Sequence, residues 1–192
     1  MPKMGSLLLY GLVCMLFSGC IDEPVRDNSV DTKFVNLARF IQEQTALLDS
    51  LNPPVDKKVR VGEKDEQQTL RDINWKKELE LFLQADISKP AIQAGFEIEE
   101  QSGNVRVFRP RSGENPDIQY LKVSFDEQGR SIQAIEALIS QSNYLYKSEK
   151  KISFQCKSNR QGQTQITAYQ IAGFQQLIFN EQVPYEIQAK VL

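Results

Sequence analysis

Ser131-Ile132-Gln133-Ala134-Ile135-Glu136-Ala137-Leu138-Ile139 is the stretch on which the fold class turns. Ile135, Ala137 and Ile139 recur at every second residue, the period that puts strand side chains on one face, while Ile132 and Leu138 stand opposite. A strand apolar on both sides is expected inside a sheet and not at its rim. The same period runs outward in both directions. Downstream, Tyr144 opens a short segment, Ile152, Phe154 and Cys156 alternate with Ser153 and Gln155, and residues 164–174 read as a long strand bulged near Gly173. Tyr185, Ile187, Ala189 and Val191 then close the chain in alternation with Glu186, Gln188 and Lys190. Upstream, Leu121, Val123 and Phe125 share a face, as do Val105 and Val107, and Phe96 and Ile98 alternate with Glu97 and Glu99.

Before Gly95 the period changes to that of a helix. Phe34, Leu37, Ile41, Leu48 and Leu51, with Ala38 and Thr45 on the same stripe, predict a helix over residues 33–51, capped by Asp31 or Thr32 and ended by Asn52-Pro53-Pro54. A charged edge hairpin follows around Gly62, over residues 55–61 and 65–70. Asn74 is placed to cap a second, short helix in which Trp75, Leu79, Phe82 and Leu83 form the apolar face, and Pro90 bars its continuation. Helices segregated ahead of a run of strands imply an α+β fold: two N-terminal helices packed on one face of a curved, mainly antiparallel β-sheet arranged as a meander. The other face is expected to carry Gln, Ser, Glu and Lys. At the level of fold alone, such a helix-covered curved sheet is similar to the half-barrel carriers that shuttle lipoproteins between bacterial membranes.

The first residues carry a different signal. Lys3 precedes an apolar run over residues 7–17, and Ser18-Gly19 supply the small side chains at which a secretory leader is cut. The run is too short for a bilayer, which needs about 20 apolar residues. Leu16-Phe17-Ser18-Gly19-Cys20 resembles a bacterial lipobox, with Phe17 standing where that pattern usually has leucine. The resemblance implies cleavage before Cys20 and acylation of its thiol, with palmitate among the acyl groups. Cys20-Ile21-Asp22-Glu23 resembles the acidic signal that sends Bacteroidota lipoproteins to the cell surface. An ordinary cleaved leader followed by a solvated linker is the plainer reading of the same residues. The expected layout is a signal peptide over residues 1–19, a lipidated Cys20 with its tether over 20–30, and one α+β domain over 31–192. Its place is then the cell envelope, anchored by lipid to the outer membrane on the periplasmic or the surface side.

Composition narrows the chemistry. The chain has 23 basic and 25 acidic side chains and no basic block, so it lacks the electrostatic footprint of a nucleic-acid binder. Histidine is absent, which removes Ser-His-Asp and Cys-His pairs, His metal sites and a His pH switch. Of the three cysteines Cys14 leaves with the leader and Cys20 takes the lipid, so Cys156 has no partner for a disulfide and reads as an inward apolar filler. Gly103, Gly113, Gly129 and Gly162 sit in strand connections and form no phosphate-binding loop. Glu97, Glu99 and Glu136 occupy alternating polar positions, where a solvated face is the simpler account than an acid–base pair. Lys147-Ser148 is too common a dipeptide to signal catalysis. Tyr120, Tyr144, Tyr146, Tyr169 and Tyr185 all fall in strand-like segments.

These readings point to a lipid-anchored, non-enzymatic envelope protein that needs no cofactor and no metal. Two binding modes remain. An apolar ligand or a protein partner is held between sheet and helices or along a sheet edge, in a cavity lined by side chains such as Trp75, Phe82, Val123 and Ile135. Alternatively, surface glycan or protein is held by tyrosines, Tyr144 and Tyr146 foremost, on the exposed sheet face. An enzyme ranks third.

Overall fold

The first described helix, α1 (Leu37–Leu51), begins later than its apolar stripe suggests. Asn36 sets the start: its side chain accepts a hydrogen bond from the Arg39 backbone N–H at 2.8 Å, satisfying one of the four donors a helix leaves open. Phe34 therefore lies outside the helix, where its ring stacks on Phe108 at 5.2 Å. The computed structural model describes residues 34–159 and 162–192. The leader, Cys20, the tether and the expected caps Asp31 and Thr32 lie outside the described residues. At its other end α1 stops at Asn52, which takes the left-handed conformation (φ 43°) and returns its N–H to the Leu48 carbonyl.

Nine strands make up most of the remaining described residues. β1 (Val55–Val61) and β2 (Lys64–Leu70) form the expected hairpin, turned at Gly62 with φ +59°. β3 (Phe96–Ser102), β4 (Val105–Pro110), β5 (Ile118–Phe125), β6 (Ile132–Ser142), β7 (Tyr146–Ser158), β8 (Thr164–Leu177) and β9 (Val183–Val191) follow as a meander. They form one open antiparallel sheet in the order β2-β1-β9-β8-β7-β6-β5-β4-β3. The early hairpin thus joins the sheet against the last strand, with Val55 opposite Val191 and Val61 opposite Tyr185. β2 is an edge, as its charge implies: Lys64, Asp65 and Glu66 discourage another strand from adding there.

The second helical segment corrects the sequence in one detail. α2 (Trp75–Leu79) tightens into a 3-10 turn over Glu80–Ala85. Inward residues then recur at three instead of at three and four, so Leu79, Phe82 and Ala85 are fully buried. Leu83, expected on that face, is 42% exposed. Pro90 does not merely stop a helix; it occupies the first turn of the short α3 (Pro90–Gln93), where its missing N–H costs nothing.

Besides a slip within β3, between Ile98 and Glu100, strict alternation fails at three strand ends, each time in the same manner. Between Ile118 and Tyr120, between Ala134 and Ile132, and between Ala168 and Ile166 the register slips by one. Gln119, Gln133 and Thr167 are the surplus residues. Each slip turns the isoleucine beyond it to the face of Leu121, Ile135 and Tyr169, and Ile118, Ile132 and Ile166 are all buried. Ile132 accordingly joins the core and does not stand opposite Ile135. Gly173, where a bulge was expected, pairs regularly with Lys150.

The buried cluster draws Leu37, Ile41, Leu48, Trp75, Leu79 and Phe82 together with strand residues including Phe108, Val123, Ile135, Ile152 and Phe154. Full burial of each such side chain contributes about 1.5–3 kcal/mol. One polar group interrupts the stripe of α1. Gln44 is 4% exposed; its Nε2 donates to the Thr164 carbonyl at 2.9 Å, and its Oε1 accepts from the Ile166 N–H at 2.8 Å. β9 pairs with β8 only from Ala168 onward, so this amide takes the place of a neighbouring strand where β9 has run out. Gln44→Leu keeps the volume but orphans a buried N–H and C=O. Urea denaturation is expected to show a loss of about 2–4 kcal/mol; a loss below about 0.5 kcal/mol would mean that water replaces the amide freely.

Candidate functional site

The residues singled out by sequence separate into two places. Trp75 and Phe82 belong to the core, both fully buried, as are Val123 and, at 2% exposure, Ile135. Phe82 meets Phe154 and Tyr169 edge-on, with ring centroids 5.4 and 5.9 Å away. These side chains pack against one another, and the clefts described below have other linings. The indole N–H of Trp75 has no hydrogen-bond partner among the described residues.

Tyr144 and Tyr146 sit at the end of the sheet. Tyr144 is in the turn from β6 to β7 and not in a strand, because Asn143 organises that turn: its Oδ1 accepts from the N–H groups of Leu145 and Tyr146 at 2.9 and 3.0 Å. Tyr146 opens β7 on the parity of Ser148, Ile152 and Phe154, the inward one. Both tyrosines line a cleft of about 270 Å³ with Leu145, Lys147, Leu177 and Phe179.

The polar face of the sheet holds a larger depression. Adjacent strands align Gln67, Lys58, Gln188, Gln170 and Ser153 in one cross-strand row, and Asp56, Lys190, Ala168 and Gln155 in the next. Ala168 and Ser153 are too short to fill their positions, so the longer side chains around them enclose a trough of about 550 Å³. The expectation that this face carries Gln, Ser, Glu and Lys holds here. Beside the trough, hydrogen bonds from Gln188 at 2.6 Å and Gln170 at 2.7 Å hold the Glu186 carboxyl below the usual range. Sequence reading did not single these residues out, although glutamine on the outward parity of three neighbouring strands was a visible signal.

Of the five tyrosines, Tyr120 has its hydroxyl on this polar face, donating to Glu136 Oε1 at 2.7 Å, with Arg109 over its ring at 5.4 Å. Burial and then the Glu136 hydrogen bond push Tyr120 up to about 12. Burial opposes ionisation of Glu136 too, but hydrogen bonds from Tyr120 and Lys151 outweigh it and keep its carboxyl low. Tyr169 is buried on the other face and donates to Glu78, which also pairs with Lys57. Burial, reinforced by Glu78, raises the Tyr169 hydroxyl well above its ordinary value. This trio ties α2 to β1 and β8.

The remaining reactive types are accounted for locally. Glu99 pairs with Arg109, Glu97 lies 4.0 Å from Arg111, and Glu136 pairs with Lys151 at 2.9 Å, so the three carboxylates each face a cation and not one another. Ser148 is buried and Lys147 exposed, on opposite faces of β7. Cys156 is 4% exposed, and burial pushes its thiol up to about 12, which suits a filler and not a nucleophile. No protein-family model matches the chain, and neither a curated protein nor a solved structure shows significant similarity to it.

Proposed function

We propose that this chain is an exported cell-envelope protein, anchored by acylation of Cys20 to the outer membrane on its periplasmic or surface side, that works without catalysis by binding a partner protein. In this reading both N-terminal helices lie on one face of a curved sheet and leave the other face free for the partner. The observation that carries the proposal is the trough on the polar face. Its rim offers amide donors and acceptors from Gln67, Gln155, Gln170 and Gln188, with Asp56, Lys58 and Lys190 adding both signs of charge. Such a mixed polar rim fits a partner's backbone and polar side chains. The burial of Trp75, Phe82, Val123 and Ile135 within one cluster favours a surface partner over an apolar guest between sheet and helices. The platform of tyrosines for glycan has less support, since Tyr169 is buried and Tyr144 and Tyr146 stand at the end of the sheet.

Ala168→Arg fills the trough without touching the core. Its melting temperature is expected to stay within a few degrees of the parent, while native pull-down from envelope extracts loses the captured protein. Recovery of the same protein by the variant would move the binding site elsewhere.

A further inference from the structure

The two turns at the end of the sheet present an apolar knob. Tyr144 is 83% exposed and Phe179 98%, and Leu145, Leu177, Ile178 and Val183 are each about half exposed. Isolated exposed apolar residues are ordinary, but a contiguous group marks a surface that meets something. The group is built, not loose. Asn180 N–H closes a tight turn onto the Leu177 carbonyl at 3.0 Å, and Ile178 N–H reaches across to the Leu145 carbonyl at 2.8 Å, joining the two turns. The turn holds Phe179 at φ +69°, a conformation that favours glycine or asparagine and that a bulky residue rarely adopts. A strained backbone that holds a phenyl ring out in water calls for a functional reason.

We infer that this knob inserts into the interfacial layer of a lipid bilayer, seating the domain against the membrane that holds its anchor. Aromatic rings held out in water as fully as those of Tyr144 and Phe179 need a matching pocket on a protein but none on a bilayer. Tyrosine at its base and the polar collar of Asn143, Lys147, Gln176 and Asn180 give the amphipathic profile of residues at headgroup depth. Lys147 and Glu181 leave the collar near neutral, so insertion is driven by apolar area and not by anionic lipid. The chain between anchor and domain is long enough. Thirteen residues, Ile21 to Lys33, separate Cys20 from Phe34 and can reach about 45 Å at full extension. Phe34 stacks on Phe108, which lies in the cross-strand row of Leu121, Ala137 and Ile152. From that row to Tyr146 is six residues of β7, about 20 Å.

The inference rests on the anchoring reading, and the test separates the two. The acylated full chain carrying Phe179→Trp is reconstituted in phosphatidylethanolamine–phosphatidylglycerol vesicles with brominated acyl chains; Trp75, fully buried, supplies a constant background. Co-flotation with blue-shifted emission and several-fold quenching of the introduced indole is the expected result, with Gln128→Trp, in the exposed turn from β5 to β6 at the other end of the sheet, remaining unquenched. Flotation with the indole still emitting as in water overturns the inference and leaves the anchor standing. A chain that does not float overturns the anchor, and the knob is then judged by the same emission shift on adding vesicles. A shift produced by envelope proteins and not by vesicles assigns the knob to a protein partner and overturns insertion.

Discussion

Phe82→Ala is expected to remove about 3–5 kcal/mol of stability, the range for truncating a buried aromatic residue. Phe82 is fully buried and meets Phe154 and Tyr169 edge-on, and Phe154 in turn stacks on Phe40 at 5.4 Å. Three elements therefore converge on one ring: the 3-10 turn, α1 through Phe40, and the middle of the sheet. Edge-on aromatic pairs add about 0.5–1.5 kcal/mol each beyond the area they bury. Chemical denaturation of Phe82→Ala, Phe154→Leu and the double variant should show that the two losses do not add, because the residues share a contact. Additive losses, or a Phe82→Ala effect below about 1 kcal/mol, would mean that the 3-10 segment is not docked on the sheet as described.

Gly173→Ala is expected to cost about 3 kcal/mol or more, although it adds a single methyl group. Gly173 is not in a left-handed conformation, so backbone freedom is not the reason for glycine here. A β-carbon built at this position lies 2.1 Å from the Glu149 carbonyl oxygen and 2.8 Å from the Lys150 Cα. Both are backbone atoms of the paired strand, so relief requires β7 and β8 to separate. Gly129 gives the contrast: it turns the chain at φ +69° with nothing within 4 Å of a β-carbon, so alanine there should cost only about 1 kcal/mol of conformational strain. The melting temperatures of the two variants test the order. Equal losses would remove close approach as the explanation for Gly173.

Much of the sheet was legible because alternation is a local property of the chain. Leu121, Val123, Ile152, Phe154 and Cys156 point inward as their spacing requires. The pairing of β1 with β9 was not legible, since no local pattern specifies which distant strand covers an edge. Gln44 escaped notice because a polar residue on an apolar stripe reads as a defect, and its role depends on where another strand happens to end. Among the candidate site residues, Trp75 and Phe82 were recognised as large apolar side chains, but sequence could not tell a pocket wall from a packed interior. The trough depends on short residues falling beside long ones across five strands, and the knob on Leu177-Ile178-Phe179, an apolar triplet between Gln176 and Asn180 that the strand pattern left unassigned.

The register slips could have been seen. Ile118-Gln119-Tyr120-Leu121, Ile132-Gln133-Ala134-Ile135 and Ile166-Thr167-Ala168-Tyr169 repeat one phrase, with inward residues three apart where a regular strand would place them two apart. Counted by parity alone, excising Gln119, Gln133 or Thr167 would leave every inward side chain still facing inward. What these three residues supply is thus not concealment of oily surface but local coiling of the ribbon, and an ancestor lacking any of them could have gained it by a single-codon insertion without turning its core inside out.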